Sequence, residues 1–157
     1  NSRKKIYEIR EKVRSLIKKS NVNIFKNSKL EISYHYGLKL FDKFGLCMIT
    51  LYNSVYCKKI LFLFKDQNHP TQHHKIKKET FFVLYGKIIL ISNKKKRIIL
   101  KAGDTYTIMP LEKHKFKCIS KNGAVIEELS SESIKSDSFY EDKRINSNKD
   151  RKSFISI

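Results

Sequence analysis

Between residues 30 and 129 the chain never sustains an apolar run long enough for a buried helix, and this limits its fold more than any other feature. Short apolar runs occupy 46–52, 59–64, 80–84, 87–92, 97–100, 105–109, 115–119 and 124–129. Turn formers interrupt them: Asn53-Ser54, Asp66-Gln67-Asn68, Gly86, Asn93, Gly103-Asp104 and Lys121-Asn122-Gly123. Short strands at this density, with no helical segment between them, predict an antiparallel sandwich or barrel.

The flanks are different. Ile6, Ile9, Val13, Leu16 and Ile17 recur at helical spacing among Lys, Arg and Glu, which predicts an amphipathic helix over 2–19 with Ser2 placed to cap its first turn. Its apolar stripe either packs on the domain or docks on a partner or upstream domain. Residues 130–157 are polar, with Phe139, Tyr140, Phe154 and Ile155 as anchors for a segment that folds back, or else a tail. The chain thus divides into a helix and linker (1–29), a β domain (30–129) and a C-terminal segment (130–157). Its 157 residues suit one domain with an apolar core.

A net charge of +19 would ordinarily suggest nucleic acid. Here the basic residues are spread along the whole chain, Ala occurs only at 102 and 124, and Lys, Ile and Asn abound. That is the signature of AT-rich codon usage, with Lys filling solvated positions. The densest run, 93–97, lies between two apolar runs and reads as a hairpin tip. We expect no nucleic-acid partner. No stretch is apolar for long enough to span a bilayer, so no membrane association is expected either. Cys47, Cys57 and Cys118 are odd in number and far apart, which favours reduced thiols and a cytoplasmic setting.

The chemistry concentrates in "HPTQHHKIKKETFFVLYG", residues 69–86, which holds three of the five histidines. On an extended strand Gln72 and His74 share one face while His73 points away. Glu79 opens the next strand, with Phe81 and Val83 on its side and Gly86 at the following turn. His114 arrives after the Gly103-Asp104 turn, a strand and a connection containing Pro110. Facing strands can bring Gln72, His74, Glu79 and His114 together. Two imidazoles, a carboxylate and an amide oxygen make a divalent-metal site with open positions.

These residues resemble the cupin superfamily. Its first motif runs Gly, five residues, His-x-His, three or four residues, Glu, six residues, Gly; His74, Glu79 and Gly86 keep that spacing. Its second runs Gly, five residues, Pro-x-Gly-x-x-His; Gly103 and His114 keep the register, with Met109 for the proline and Leu111 for the glycine. Gln72 stands where the first histidine usually is, and an amide binds metal more weakly than imidazole. "HPTQHHKIKKETFFVLYGKI", "YCKKILFLF" and "SDSFYEDKRINSNKDRKSF" are further similar to small cupins related to D-lyxose isomerase. Similar domains lie fused behind N-acetylneuraminate synthase-type enzymes, which make sialic and other nonulosonic acids. The resemblance implies an all-β fold, a single jelly-roll cupin barrel with an N-terminal helix. It implies a divalent ion (manganese, zinc or iron) held by His74, Glu79 and His114, with Gln72 as a fourth ligand. It further implies a sugar substrate contacted by Lys77, an upstream synthase domain as a partner, and a homodimer, for which the runs 46–52 and 59–64 offer edge strands. His69 and Tyr140 are the other candidate sugar contacts.

Aldose–ketose interconversion needs a base near the substrate C–H and a group that stabilises the developing oxyanion. Lys77 can serve the oxyanion. Glu127 and Glu128 are candidate bases, of which strand alternation lets only one face the interior; Glu141 and Asp142 are others if the C-terminal segment closes over the site. Blander roles stand beside these. His69 reads as a loop residue, His35 as packing or surface, Cys118 as core, Lys77 as solvated, and Glu127 and Glu128 as partners of nearby lysines. A metal-dependent sugar isomerase or epimerase ranks first, a non-catalytic sugar-binding module beside a nonulosonic-acid synthase second, and oxidative chemistry at iron third.

Overall fold

The computed structural model describes residues 2–94 and 97–157. The expected hairpin tip at Lys95 and Lys96 lies outside them. A helix, α1 (Ser2–Ser20), precedes β1 (Lys29–Tyr34), a 3-10 turn (Leu38–Leu40) and one turn of helix, α2 (Phe41–Phe44). Then come β2 (Gly45–Asn53), β3 (Tyr56–Leu63), β4 (Asn68–His73), β5 (Glu79–Tyr85), β6 (Lys87–Ser92), β7 (Ile98–Lys101), β8 (Thr105–Ile108), β9 (His114–Cys118) and β10 (Ala124–Ser131). The C-terminal segment folds back, adding β11 (Phe139–Tyr140), a short helix α3 (Lys143–Ser147) and β12 (Lys152–Ser156). No helix among the described residues is long and apolar enough to cross a membrane.

The strands form two antiparallel sheets, ordered β12-β1-β2-β3-β10-β5-β8 and β11-β4-β9-β6-β7. Alternation sorts their side chains. Leu46, Leu61, Phe81 and Ile126 of the larger sheet meet Ile88, Leu90, Phe116 and Cys118 of the smaller one in the core between them. The neighbouring residues Cys47, Phe62 and Val125 point to the other side, where Ile9, Val13 and Leu16 of α1 cover them. The helix stripe therefore packs on its own domain. Each such side chain contributes about 1.5–3 kcal/mol of transfer free energy. All three cysteines are free and buried.

At Gly86 the backbone takes φ +75° between β5 and β6, and a Cβ there would lie 2.2 Å from the carbonyl oxygen of Gly123. Any L side chain would clash as well as strain.

Strands β2 and β3, expected at an edge, are interior: each is flanked on both sides, β2 by β1 and β3, β3 by β2 and β10. The C-terminal return supplies β12, which lies outside β1 and takes the edge. Their backbone groups are already paired, so they cannot accept a strand from a second copy.

Candidate metal centre

Pro70 has no N–H to give a ladder, and the β4–β9 register slips between His69 and Gln72. The slip reverses the alternation. His69 and His74, five positions apart, are both buried, at 3% exposure each. Gln72 lies opposite His114 on one side and Tyr140 on the other, so these three share one face of the smaller sheet. Glu79, the first residue of β5, shares its face with Phe81 and Val83, whose side chains sit in the core. His73 instead stacks on Phe139, ring centroids 5.3 Å apart.

His74, Glu79 and His114 each offer a ligand atom within 4.8 Å of the others. His114 Nε2 lies 3.1 Å and His74 Nε2 3.5 Å from Glu79 Oε1. All three residues are at most 3% exposed. The Lys77 ammonium meets Glu79 Oε2, but both Nε2 atoms and Glu79 Oε1 lack a partner with hydrogen-bond geometry. Three orphaned buried polar atoms are costly unless something else satisfies them.

The tautomers make that requirement specific. His74 Nδ1 lies 2.8 Å from the Asp137 carbonyl, and His114 Nδ1 lies 2.8 Å from the Glu112 carbonyl. A carbonyl only accepts, so each Nδ1 carries a proton, and Nε2, which faces Glu79, is the atom each ring has left to offer an ion. Two imidazole lone pairs and a carboxylate at one point fit a divalent ion.

Lys77 Nζ stands 2.8 Å from Glu79 Oε2 and donates to Glu128 Oε2 at 3.4 Å, with all three side chains nearly enclosed. Burial pushes the Glu79 carboxyl up, but the Lys77 ammonium and the two imidazoles outweigh it and hold it well below the usual carboxylate range. Burial and the Glu79 charge raise the Glu128 carboxyl against the pull of Lys77. Burial depresses the His114 imidazole, but the adjacent Glu79 carboxylate outweighs it and raises it.

Of the candidate bases, only Glu128 reaches the cluster. Glu127 points to the other face of β10 and pairs with Lys58 at 2.7 Å; its role as a base is withdrawn, because alternation gives the interior to its neighbour. Glu141 is exposed near Lys113, at 3.9 Å, and Asp142 pairs with Arg144. His69 is no loop residue: the bulge turns it inward, where it stacks on Phe116 at 4.7 Å and meets His35 at 4.9 Å. Tyr140 donates its hydroxyl to His35 Nε2 at 3.3 Å. His35 is itself buried, its Nδ1–H given to the Phe44 carbonyl at 2.6 Å. Burial lowers its imidazole to about 4.

Two acidic residues were not anticipated from the sequence. Asp137 accepts from the backbone N–H of Lys75, Ile76 and Lys77 at 2.8, 3.2 and 2.9 Å. Burial raises its carboxyl, but those N–H groups prevail and hold it below the usual range. Glu112 accepts from Tyr106 at 2.6 Å and from the Met109 N–H at 3.0 Å, which locks the turn before His114. Two clefts of about 300 and 500 Å³, lined by Pro70 and Lys115 and by Thr80 and Leu129, open on the outer sheet faces and not at the cluster.

Two facing antiparallel sheets with a two-histidine, one-carboxylate cluster between them define a cupin. Residues 64–129 match the cupin domain family. A D-lyxose/D-mannose isomerase of Thermosediminibacter oceani is 31% identical over 169 aligned positions, covering 90% of this chain and 93% of that protein. A D-lyxose ketol-isomerase of a Thermofilum species is 29% identical, covering 89% and 93%. Among solved structures, ligand-free L-ribose isomerase of Cellulomonas parahominis superposes with a TM-score of 0.79 at 14% identity, over 93% of this chain and 95% of that one. L-ribose isomerase of Acinetobacter sp. DL28 with L-ribose gives 0.78 at 14% identity, over 92% and 94%. The chain belongs to the cupin superfamily, in the family of D-lyxose isomerase and its relatives.

Proposed function

We propose that the protein is a divalent-metal-dependent aldose–ketose isomerase acting on a free sugar of the lyxose or mannose kind. What carries this proposal is the convergence of three orphaned polar atoms from His74, Glu79 and His114, with a buried cation and a second carboxylate beside them. Homology to two proteins named for lyxose isomerisation supports the substrate class.

His74, Glu79 and His114 would hold the ion, with Gln72 as a fourth oxygen donor from the same face as His114. A manganese, zinc or iron ion would supply Lewis acidity to the sugar carbonyl and its neighbouring hydroxyl. Glu128 is the base. It takes the proton from C2 of the aldose; the C–H electron pair becomes the C1–C2 double bond, and the carbonyl π pair moves onto O1. The O2 hydroxyl proton passes to O1; the O–H pair then forms the C2 carbonyl while the C1–C2 π pair takes the proton back from Glu128 at C1. A carboxyl raised toward neutrality suits both directions of transfer. Lys77 holds the two carboxylates apart and offers its ammonium to the developing oxyanion. His69 and Tyr140, whose rings meet on the inner side near Gln72, would contact the rest of the sugar.

The test is incubation with D-lyxose and D-mannose in heavy water, with and without manganese. Metal-dependent ketose formation with deuterium at the carbon next to the carbonyl is expected, because a carboxyl proton exchanges with solvent between steps. Sugar binding without turnover or exchange would reject the isomerase and identify a sugar-binding module.

A further inference from the structure

We propose that Asp137 is the positioning residue of this centre: it fixes the turn that carries His74 and Lys77, so the C-terminal segment completes a site built mainly by the β domain. This role rests on the metal-dependent proposal above. Residues 75–77 follow β4 and belong to no ladder, so their three successive N–H groups need acceptors from elsewhere. Asp137 meets all three. Oδ1 takes Lys75 at 2.8 Å, Oδ2 takes Lys77 at 2.9 Å, and both oxygens share Ile76 at 3.2 Å. Bonds to an ionised carboxylate are roughly twice as strong as neutral ones.

The main chain of the same residue sets the ligand. Its carbonyl receives His74 Nδ1–H at 2.8 Å across 63 residues of sequence. By contrast, His114 is oriented by Glu112, only two residues away. The His114 geometry is local to its turn, whereas the His74 geometry exists only once the C-terminal segment has docked. Asp137 also anchors the backbone of Lys77, whose ammonium reaches Glu79 at 2.8 Å. One residue therefore places a candidate metal ligand and the cation beside it.

The experiment uses the full chain and cobalt(II), read by its visible spectrum and by competition with a chelator. Asp137→Ala removes the carboxylate but keeps the carbonyl. It should weaken cobalt binding about 10-fold or more, the usual scale for groups that orient metal ligands, and alter the spectrum. In the metal-free protein it should also remove hydrogen-exchange protection at the amides of Lys75, Ile76 and Lys77. Asp137→Asn, which keeps one acceptor oxygen, should fall between the two and serves where the Ala variant does not fold. Val13→Ala removes a fully buried apolar side chain of α1, on the outer side of the larger sheet and away from the C-terminal segment, and should leave affinity within about 2-fold. Native affinity and spectrum in Asp137→Ala, or an equal loss in Val13→Ala, would overturn the role while leaving the metal centre standing. A native protein that binds no cobalt would overturn both.

Discussion

Replacing Lys77 by Met keeps the aliphatic stem and removes a charge enclosed between two carboxylates, so it tests the electrostatics of the centre directly. At an effective dielectric of about 20, an ammonium 2.8 Å from Glu79 and 3.4 Å from Glu128 gains about 6 and about 5 kcal/mol. Desolvation of the ammonium offsets several kcal/mol of that sum. Without it Glu79 and Glu128 face each other as like charges in a nearly dry interior. The expected net loss is that of breaking a buried ion pair, about 3–5 kcal/mol. For a chain of this length that lowers the Tm by roughly 10 °C. The assay is thermal unfolding followed by circular dichroism in the presence of a chelator. Adding manganese should then raise the Tm of Lys77→Met by more than it raises the native Tm, because the ion meets two unpaired carboxylates in the variant. A chelated Tm within 2 °C of native, with an unchanged manganese response, would refute the picture of a charged Lys77 bridging the pair.

Glu128→Gln should abolish solvent exchange into the sugar while retaining metal, and Glu127→Gln should leave both unchanged; loss of exchange in the second variant alone would reverse the assignment of the base. Gln72→His puts a stronger donor opposite His114, so it should slow metal release to a chelator; faster release would remove Gln72 from the ligand set. His35 stays neutral in the fold down to about 4 but takes up a proton near 6.5 when unfolded. Stability should therefore fall as pH drops from 6.5 to 4, by about 3 kcal/mol from this group alone. His35→Gln should flatten that acid limb, and an unaltered limb in urea titrations would exclude the contribution.

The candidate metal ligands were legible because they obey local spacing. The intervals from His74 to Glu79 to Gly86 and from Gly103 to His114 follow from strand length and turn geometry, and both survive in three dimensions as one convergent cluster. Other site residues were not legible. His69, just before Pro70, looked like a loop residue, and the bulge that turns it inward has no local signal beyond that proline. Asp137 carried no local signal, since its partners lie some 60 residues earlier and a carboxylate in a polar stretch is ordinarily solvated.

The pair Glu127 and Glu128 marks the boundary most clearly. The sequence alone determined that the chain is β, that a helix precedes it, and that one of two adjacent carboxylates on β10 faces the interior. It did not determine which, because Ala124, Val125 and Ile126 are all buried and hide the period-two pattern. They are all buried because α1 covers one face of that strand and the smaller sheet covers the other. Which face becomes the reactive interior is set by where the helix docks and how the two sheets meet, and these contacts join residues far apart in the chain. Only the tertiary structure assigns Glu128 to the cluster and Glu127 to Lys58.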